Sequence, residues 1–187
     1  MLTYENAEEK YQLAIMLACT GHALQRYGDG FYFEHLKAVE KILIDEGLCN
    51  FTKDDGDFTQ VHLKAYTYKI CAWFHDLMED SGIVSYNDIA NTYGFGKEIA
   101  EVCFLLKEFS GRNRKERKPP EYYIRIGQNI VAGNVKIADR IANIENSTKP
   151  SMKDMYIKEQ KEFSLIYDQN PYAFAKLWTR LEKALKK

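Results

Sequence analysis

Apolar residues recur every three or four positions along most of the chain, which is the spacing expected of helices with one buried face. In residues 7–27, for example, Tyr11, Ala14 and Ala18 form such a stripe, and Gly28 predicts the end of the helix. Patterns that alternate at every second residue, as a half-buried strand requires, are short. The pattern therefore predicts an all-α protein.

Glycine, proline and short polar runs divide the rest of the chain into further predicted helices. Ser85 followed by Asp88 is close to a capping box and predicts a helix start, whereas Gly94 and Gly96 predict a break. Residues 49–57 have loop composition. The other predicted helices run from near His35 to Gly47 and over 58–78, 99–105, 121–129, 134–146, 152–168 and 171–185. About eight helices with short connections predict a helical bundle.

Length and charge narrow the class of protein. The chain has 187 residues, 45% of them apolar, which is enough for one domain with a substantial core and too few for two ordinary catalytic domains. We therefore expect a single domain over 1–187, with C-terminal helices in 151–187 packing on the rest. A formal net charge of −1 lacks the basic excess that is typical of nucleic-acid-binding domains. No nucleic-acid partner is expected, and the oligomeric state stays open.

The cysteines and the N-terminal residues bear on the cellular compartment. The four cysteines are scattered without a CxxC spacing, as is typical of reduced thiols in a reducing compartment. Residues 1–10 are acidic and lack the basic-then-apolar order of a secretory signal. No run approaches the roughly 18 apolar residues of a membrane span. We expect a soluble, cytoplasmic protein without a membrane partner.

Four polar side chains interrupt the apolar pattern at the end of the predicted helix 58–78. They are His75, Asp76, Glu79 and Asp80. On a continuous helix, their spacings of three and four residues would bring all four to one side. Buried carboxylates are costly unless they are paired or bound to a cation. The cluster therefore predicts a metal or proton-transfer site.

Two further residues complete an order along the chain that is known from a protein family. His35 precedes the pair His75-Asp76, and Asp139 follows that pair. This order of His, then His-Asp, then Asp resembles the HD-domain metal-dependent phosphohydrolases. The resemblance implies an HD-type helical bundle, in agreement with the helical spacing.

One branch of that superfamily is more similar than the others. The pair Glu79-Asp80 and the Lys-Ile-Ala-Asp-Arg-Ile-Ala-Asn run at 136–143 resemble the hydrolase domain of the RelA/SpoT alarmone enzymes. The resemblance covers about residues 5–148. It is specific as a set of motifs and weak in any single motif.

The resemblance implies one divalent metal held by His35, His75, Asp76 and Asp139. Such a mixed nitrogen and oxygen site suits Mn²⁺ and can accept Mg²⁺, Fe²⁺, Co²⁺ or Ni²⁺, and the lack of a nearby thiolate argues against structural zinc. Any one of these residues alone is more ordinarily a core histidine or a surface carboxylate. Together, in this order, they favour a metal site.

The resemblance also implies roles for neighbouring residues. Glu79 and Asp80 would orient or deprotonate the attacking water, the alternative being a surface carboxylate pair at a helix end. Arg26 would stack on the substrate or bind its phosphates, because a guanidinium is planar and always charged. Asn143, four residues after Asp139, would contact the substrate from the same helix face.

A basic segment and two departures from the family bear on the substrate. Within 112–118, Arg114 and Lys115 would bind substrate phosphates, the alternative being a solvated loop. Tyr27 replaces a second basic residue after Arg26, and Leu36 replaces the proline that usually follows the first histidine. These departures leave the predicted metal ligands intact and bear on nucleobase specificity.

The activity implied by the resemblance is hydrolysis of a small nucleotide. The leading hypothesis is a small alarmone hydrolase of the stringent response, which removes the 3'-pyrophosphate of guanosine tetra- or pentaphosphate (ppGpp or pppGpp) with Mn²⁺. A first alternative is an HD phosphohydrolase acting on another nucleotide, such as a 5'-deoxynucleotidase or a phosphatase of a 2'- or 3'-phosphorylated cofactor. A second alternative is a metal-binding nucleotide sensor without turnover.

Overall fold

A computed structural model describes residues 1–50, 58–80, 82, 84–147 and 149–186, apart from the side chains of Phe58 and Asp80. The described chain is mostly helical, with a single two-stranded hairpin among the described residues, which confirms the all-α prediction. Most of the loop predicted over 49–57 lies outside the described residues. The chain forms two compact units, Met1–Lys107 and Glu108–Lys187. A single domain over 1–187 stays a prediction.

Three helices make up most of the core of Met1–Lys107. Helices α1 (Ala7–His22) and α2 (Tyr32–Asp45) both pack on α3 (Phe58–Phe74). The helices form where the apolar spacing predicts them, because a stripe at every third or fourth residue can be buried on one face. The buried residues of the stripe on α2 are His35, Leu36, Val39, Glu40, Ile42 and Leu43.

A short hairpin separates α1 from α2, where the sequence predicted that the first helix would continue to Tyr27. Strands β1 (Arg26–Tyr27) and β2 (Gly30–Phe31) pair antiparallel. Gly28 allows the tight connection, because its φ of 58° lies in the left-handed region that favours glycine. With two residues in each strand, the hairpin is too short to show an alternating pattern in the sequence.

The remaining elements of Met1–Lys107 follow α3. They are α4 (Leu77–Asp80), a π-helical turn (Asp88–Thr92) and α5 (Lys97–Leu106). The predicted capping box is confirmed, since the Ser85 backbone N–H donates to Asp88 Oδ2 at 2.9 Å and the Asp88 backbone N–H donates to Ser85 Oγ at 3.2 Å. These two bonds satisfy backbone donors that the start of a helix leaves unpaired.

Helix α8 is the centre of the unit Glu108–Lys187 and is buried along most of its length. It starts earlier than predicted, because the Asn129 side chain accepts a hydrogen bond from the Ala132 backbone N–H at 3.0 Å. Gly133 allows close packing of α11, since a β-carbon there would collide with the ring of Phe174. The helices of this unit are α6 (Arg114–Arg117), α7 (Pro120–Gly127), α8 (Ile130–Glu145), α9 (Pro150–Lys158), α10 (Gln160–Gln169) and α11 (Pro171–Lys186).

The helix predicted over 152–168 is two helices, α9 and α10, with a break at Glu159. The break lets the two halves pack on different partners, since α9 contacts α8 whereas α10 packs chiefly on α7. The buried side chains Tyr156, Phe163 and Ile166 keep a helical spacing across the break. Sequence periodicity therefore could not reveal it.

The cysteines agree with the predicted reduced thiols. All four cysteines are free, as predicted. Burial raises the pKa of the Cys49 and Cys103 thiols to about 12, so neither is a thiolate at neutral pH. Among the described residues, no helix is both long and apolar enough to cross a membrane.

Candidate metal centre

The predicted continuous helix through His75 is wrong, because α3 ends at Phe74 and α4 begins at Leu77. Nδ1 of the His75 ring lies 2.8 Å from the carbonyl oxygen of Ala72. In an unbroken helix that carbonyl would accept the backbone N–H of Asp76. Here the His75 imidazole, and not the Asp76 backbone N–H, contacts the Ala72 carbonyl oxygen. His75 and Asp76 therefore lie in a turn between the two helices.

This contact fixes the tautomer of His75. A carbonyl oxygen only accepts hydrogen bonds, so the ring hydrogen is assigned to Nδ1 and the neutral ring presents a lone pair at Nε2. Histidine ligands of metal ions are commonly oriented by a backbone carbonyl in this way. His75 is 2% exposed, so water does not solvate the lone pair freely.

Three potential ligand atoms meet around that lone pair. Nε2 of His35 lies 3.3 Å from Nε2 of His75, and Oδ2 of Asp76 lies 3.0 Å from the same His75 nitrogen. A lone pair facing a carboxylate is repulsive unless a cation stands with them, either a proton or a metal ion. Two imidazole nitrogens and a carboxylate oxygen form a donor set that suits Mn²⁺ and related divalent ions. The residues therefore fit the predicted metal.

Tyrosines of the hairpin and α2 contact the predicted ligands, and the sequence did not predict these contacts. The Tyr32 hydroxyl donates a hydrogen bond to Asp76 Oδ2. The ring of Tyr27 lies over that of His35, with 4.7 Å between centroids. His22, the last residue of α1, is buried and its ring stacks on that of Tyr32, with 4.5 Å between centroids.

The other predicted site residues of Met1–Lys107 lie on β1 and on α4. Arg26 is exposed on β1, and its guanidinium lies 4.6 Å from the ring centroid of Phe31. Glu79 is exposed on α4. Asp80 ends α4, but its side chain lies outside the described residues. The turn at His75 and Asp76 interrupts the single helix on which the sequence placed all four polar side chains, and their convergence stays a prediction.

Asp139 is held by its neighbours on α8 in the unit Glu108–Lys187. Nδ2 of Asn143 donates to Asp139 Oδ1 at 2.6 Å, which confirms that the two residues share a helix face. Nζ of Lys136 lies 2.9 Å from Asp139 Oδ2. Asp139 is 7% exposed, so a carboxylate in this position needs such positive or donating groups. Lys136, three residues before Asp139, could have been identified from its helical spacing.

Several basic side chains of the predicted phosphate-binding segment form ion pairs with glutamates. Arg114 forms a two-pronged contact with Glu159, from Nε at 2.5 Å and Nη2 at 3.1 Å. Burial raises the pKa of Glu159, but the hydrogen bonds and charge of Arg114 outweigh it and hold that pKa below its usual value. Arg117 and Lys118 both pair with Glu108. The segment is therefore more ordered than a solvated loop.

Lys115 is exposed beside a cavity of about 400 Å³. Lys118 and Lys158 also line the cavity, together with the buried Tyr123. Burial lowers the pKa of Lys118, and the nearby positive charges of Lys136 and Arg114 lower it further. Glu159 and Glu162 line the same cavity, so its wall carries charges of both signs, with Lys115 as an exposed cation on the segment 112–118.

Comparison with solved structures gives the fold an experimental counterpart. The chain is similar, with a TM-score of 0.69 and 20% sequence identity, to the structure described as a metazoan ortholog of SpoT that hydrolyses ppGpp and plays a role in starvation responses. The match covers 95% of this chain and 94% of that one. The two proteins share a fold. The sequence matches no family model and no characterised protein.

Proposed function

We propose that the protein is a metal-dependent hydrolase that removes the 3'-pyrophosphate of ppGpp or pppGpp and releases GDP or GTP. The metal would be Mn²⁺, held by His35, His75, Asp76 and Asp139. The observation that carries this proposal is the meeting of two buried imidazole nitrogens and a carboxylate oxygen around the His75 lone pair. The shared fold with a ppGpp-hydrolysing protein supports the substrate class.

The assignment of Asp139 as the fourth ligand rests on its chemistry and on the sequence resemblance. His35, His75 and Asp139 are all buried, and each offers one ligand atom. Asn143 and Lys136 fix both carboxylate oxygens of Asp139, which limits the rotation of its side chain. A carboxylate oriented in this way loses less conformational entropy when it binds a metal.

When bound, a divalent ion supplies Lewis acidity toward a phosphate oxygen and a water molecule of lowered pKa. In the proposed reaction the water oxygen forms a bond to the phosphorus attached at the ribose 3'-oxygen. The bond between that phosphorus and the 3'-oxygen breaks, and the 3'-oxygen takes up a proton. Glu79 and Asp80 would orient the water and accept its proton, because carboxylates are effective general bases when positioned.

Binding of the remaining phosphates is proposed for the basic residues. Lys115 is exposed beside a cavity that Lys118 and Lys158 also line, so its ammonium group can meet a phosphate from solvent. Arg114 would act differently, because a phosphate must compete with Glu159 for its guanidinium. Arg26 is exposed and would contact the base or a phosphate from the hairpin. Asn143 would combine a substrate contact with its hold on Asp139.

A nucleotide panel with added Mn²⁺ tests this proposal. Purified protein is incubated with ppGpp, a 5'-deoxynucleotide and a 2'-phosphorylated cofactor, and products are separated by anion-exchange chromatography. We expect GDP and pyrophosphate from ppGpp, and no products from ppGpp with His75→Ala. Orthophosphate from the other two substrates, with ppGpp intact, would overturn the alarmone assignment in favour of another nucleotide phosphohydrolase. Tight nucleotide binding without any turnover would favour a sensor.

A further inference from the structure

Asp76 lies where no regular helix fixes its side chain. It occupies the turn between α3 and α4, and its side chain is 19% exposed. The adjacent His75 is oriented by the carbonyl of Ala72, but that contact does not reach the Asp76 carboxylate. A hydrogen bond from a group on another element would help to keep Oδ2 next to His75 Nε2.

Tyr32 provides that group. Its hydroxyl donates to Oδ2 of Asp76, the same oxygen that lies 3.0 Å from His75 Nε2. Tyr32 is also the first residue of α2, one helical turn before His35. One helical turn thus carries both a predicted metal ligand and the donor that orients another.

The Tyr32 side chain is itself held in place on several sides. Its backbone N–H donates to the carbonyl oxygen of Gln25 at 3.0 Å. Its ring stacks on His22 with an interplanar angle of 25°. Tyr27 and His35 meet the ring edge-on, with centroid distances of 6.2 and 5.3 Å. A ring packed in this way presents its hydroxyl in one direction.

We propose that Tyr32 is a positioning residue of the metal centre, which acts by holding the Asp76 carboxylate toward His35 and His75. The inference rests on the proposed metal centre and not on the identity of the substrate. Hydrogen bonds to a ligating carboxylate typically change metal affinity by about 10- to 100-fold. Tyr32 touches neither the substrate nor the reacting atoms in this proposal, so its effect should be seen first in metal binding.

The test compares Mn²⁺ affinity in Tyr32→Phe and in a matched control by isothermal titration calorimetry. The control is Tyr66→Phe, which also removes a hydroxyl donated to a carboxylate, that of Glu8 at 2.5 Å. Tyr32→Phe should raise the Kd for Mn²⁺ by about 10- to 100-fold. Tyr66→Phe should leave this Kd unchanged. Saturating Mn²⁺ should then restore most of the kcat of Tyr32→Phe.

Two results would overturn the inference and leave the proposed function standing, and a third would overturn both. An unchanged Kd in Tyr32→Phe with a lower melting temperature would make the hydroxyl a stabilising contact only. An equal loss of affinity in both variants would show a nonspecific effect. A wild-type protein without Mn²⁺ binding would overturn the metal centre itself. If Tyr32→Phe does not fold, 4-aminophenylalanine at position 32 retains a donor, and a weakened Kd in that folded protein would count against the inference.

Discussion

Nε2 of His35 and Nε2 of His75 lie 3.3 Å apart, although the two residues are 40 positions apart in the chain. The packing of α2 on α3 brings them together, and the contact of His75 Nδ1 with the Ala72 carbonyl turns the second ring toward the first. Both side chains are almost completely buried. Two buried imidazole nitrogens at this separation can share a proton in an N–H···N hydrogen bond or be bridged by a metal ion.

Loss of a predicted metal ligand should abolish metal binding without unfolding the protein. His75→Ala and Asp76→Ala each remove a donor, so we expect Mn²⁺ content and ppGpp turnover to fall below detection. The helical signal in circular dichroism should stay close to that of the wild type. His62→Ala, on α3 with its ring against those of Tyr4 and Tyr66, is the control and should keep its metal. Full Mn²⁺ occupancy in His75→Ala, measured by elemental analysis, would refute the ligand assignment.

Glu79→Gln should separate catalysis from metal binding. The substitution preserves the size of the side chain but removes the negative charge that orients or deprotonates water. We expect kcat to fall by about 10²-fold or more while the Mn²⁺ content is retained. Glu98→Gln, on α5, serves as the matched control. Turnover close to that of the wild type would leave Glu79 without a role in catalysis.

Lys115 and Arg114 should differ in their effects, although both were predicted to bind phosphate. Lys115→Ala should raise KM more than it lowers kcat, because a remote phosphate contact binds ground and transition states alike. The increase should be larger for substrates with more 5'-phosphates. Lys176→Ala, at an exposed position of α11, is the control. Equal KM values for Lys115→Ala and the control would leave Lys115 without a role in substrate binding.

Arg114→Ala should in addition lower stability, because it leaves the Glu159 carboxylate without its main partner. The pair is partly exposed and therefore screened by solvent, so we expect a loss of about 1 kcal/mol in the free energy of unfolding. Urea titration measures this loss. A loss of stability in Lys115→Ala as large as that in Arg114→Ala would contradict the special position of the Arg114 pair.

The same pair should make stability depend on pH in the acid range. A carboxyl group whose pKa is lower in the folded state adds stability above its unfolded pKa of about 4.5, and this stability is lost as the pH falls through the folded pKa. The melting temperature of the wild type should therefore decrease more steeply below about pH 4.5 than that of Glu159→Gln. Glu121→Gln, at an exposed position of α7, should follow the wild type. Parallel curves for the wild type and Glu159→Gln would show that the pair does not contribute.

The sequence predicted the helices and the motif residues but not the local geometry of the site. Helical spacing was enough for α2 and α8, where one stripe of apolar residues is buried on one packed face. The i,i+4 spacing also correctly placed Asn143 beside Asp139. These relations are local in the chain, so periodicity encodes them.

Contacts between residues far apart in the chain could not be predicted from residue spacing. The break at His75 depends on a hydrogen bond between the His75 side chain and the Ala72 backbone carbonyl. The apolar pattern continues through this position, so it gives no sign of the break. Tyr32 and Asp76 are 44 positions apart, so their hydrogen bond has no signature in residue spacing. The break at Glu159 arises from packing on different partners rather than from a change in periodicity.

Hydrolysis in water enriched in oxygen-18 tests the central claim most directly. The protein is incubated with ppGpp and Mn²⁺ in labelled water, and the mass of each product is measured by mass spectrometry. Attack at the phosphorus attached to the 3'-oxygen predicts one labelled oxygen in pyrophosphate and unlabelled GDP. Labelled orthophosphate, labelled GDP or the absence of turnover would contradict the proposed function.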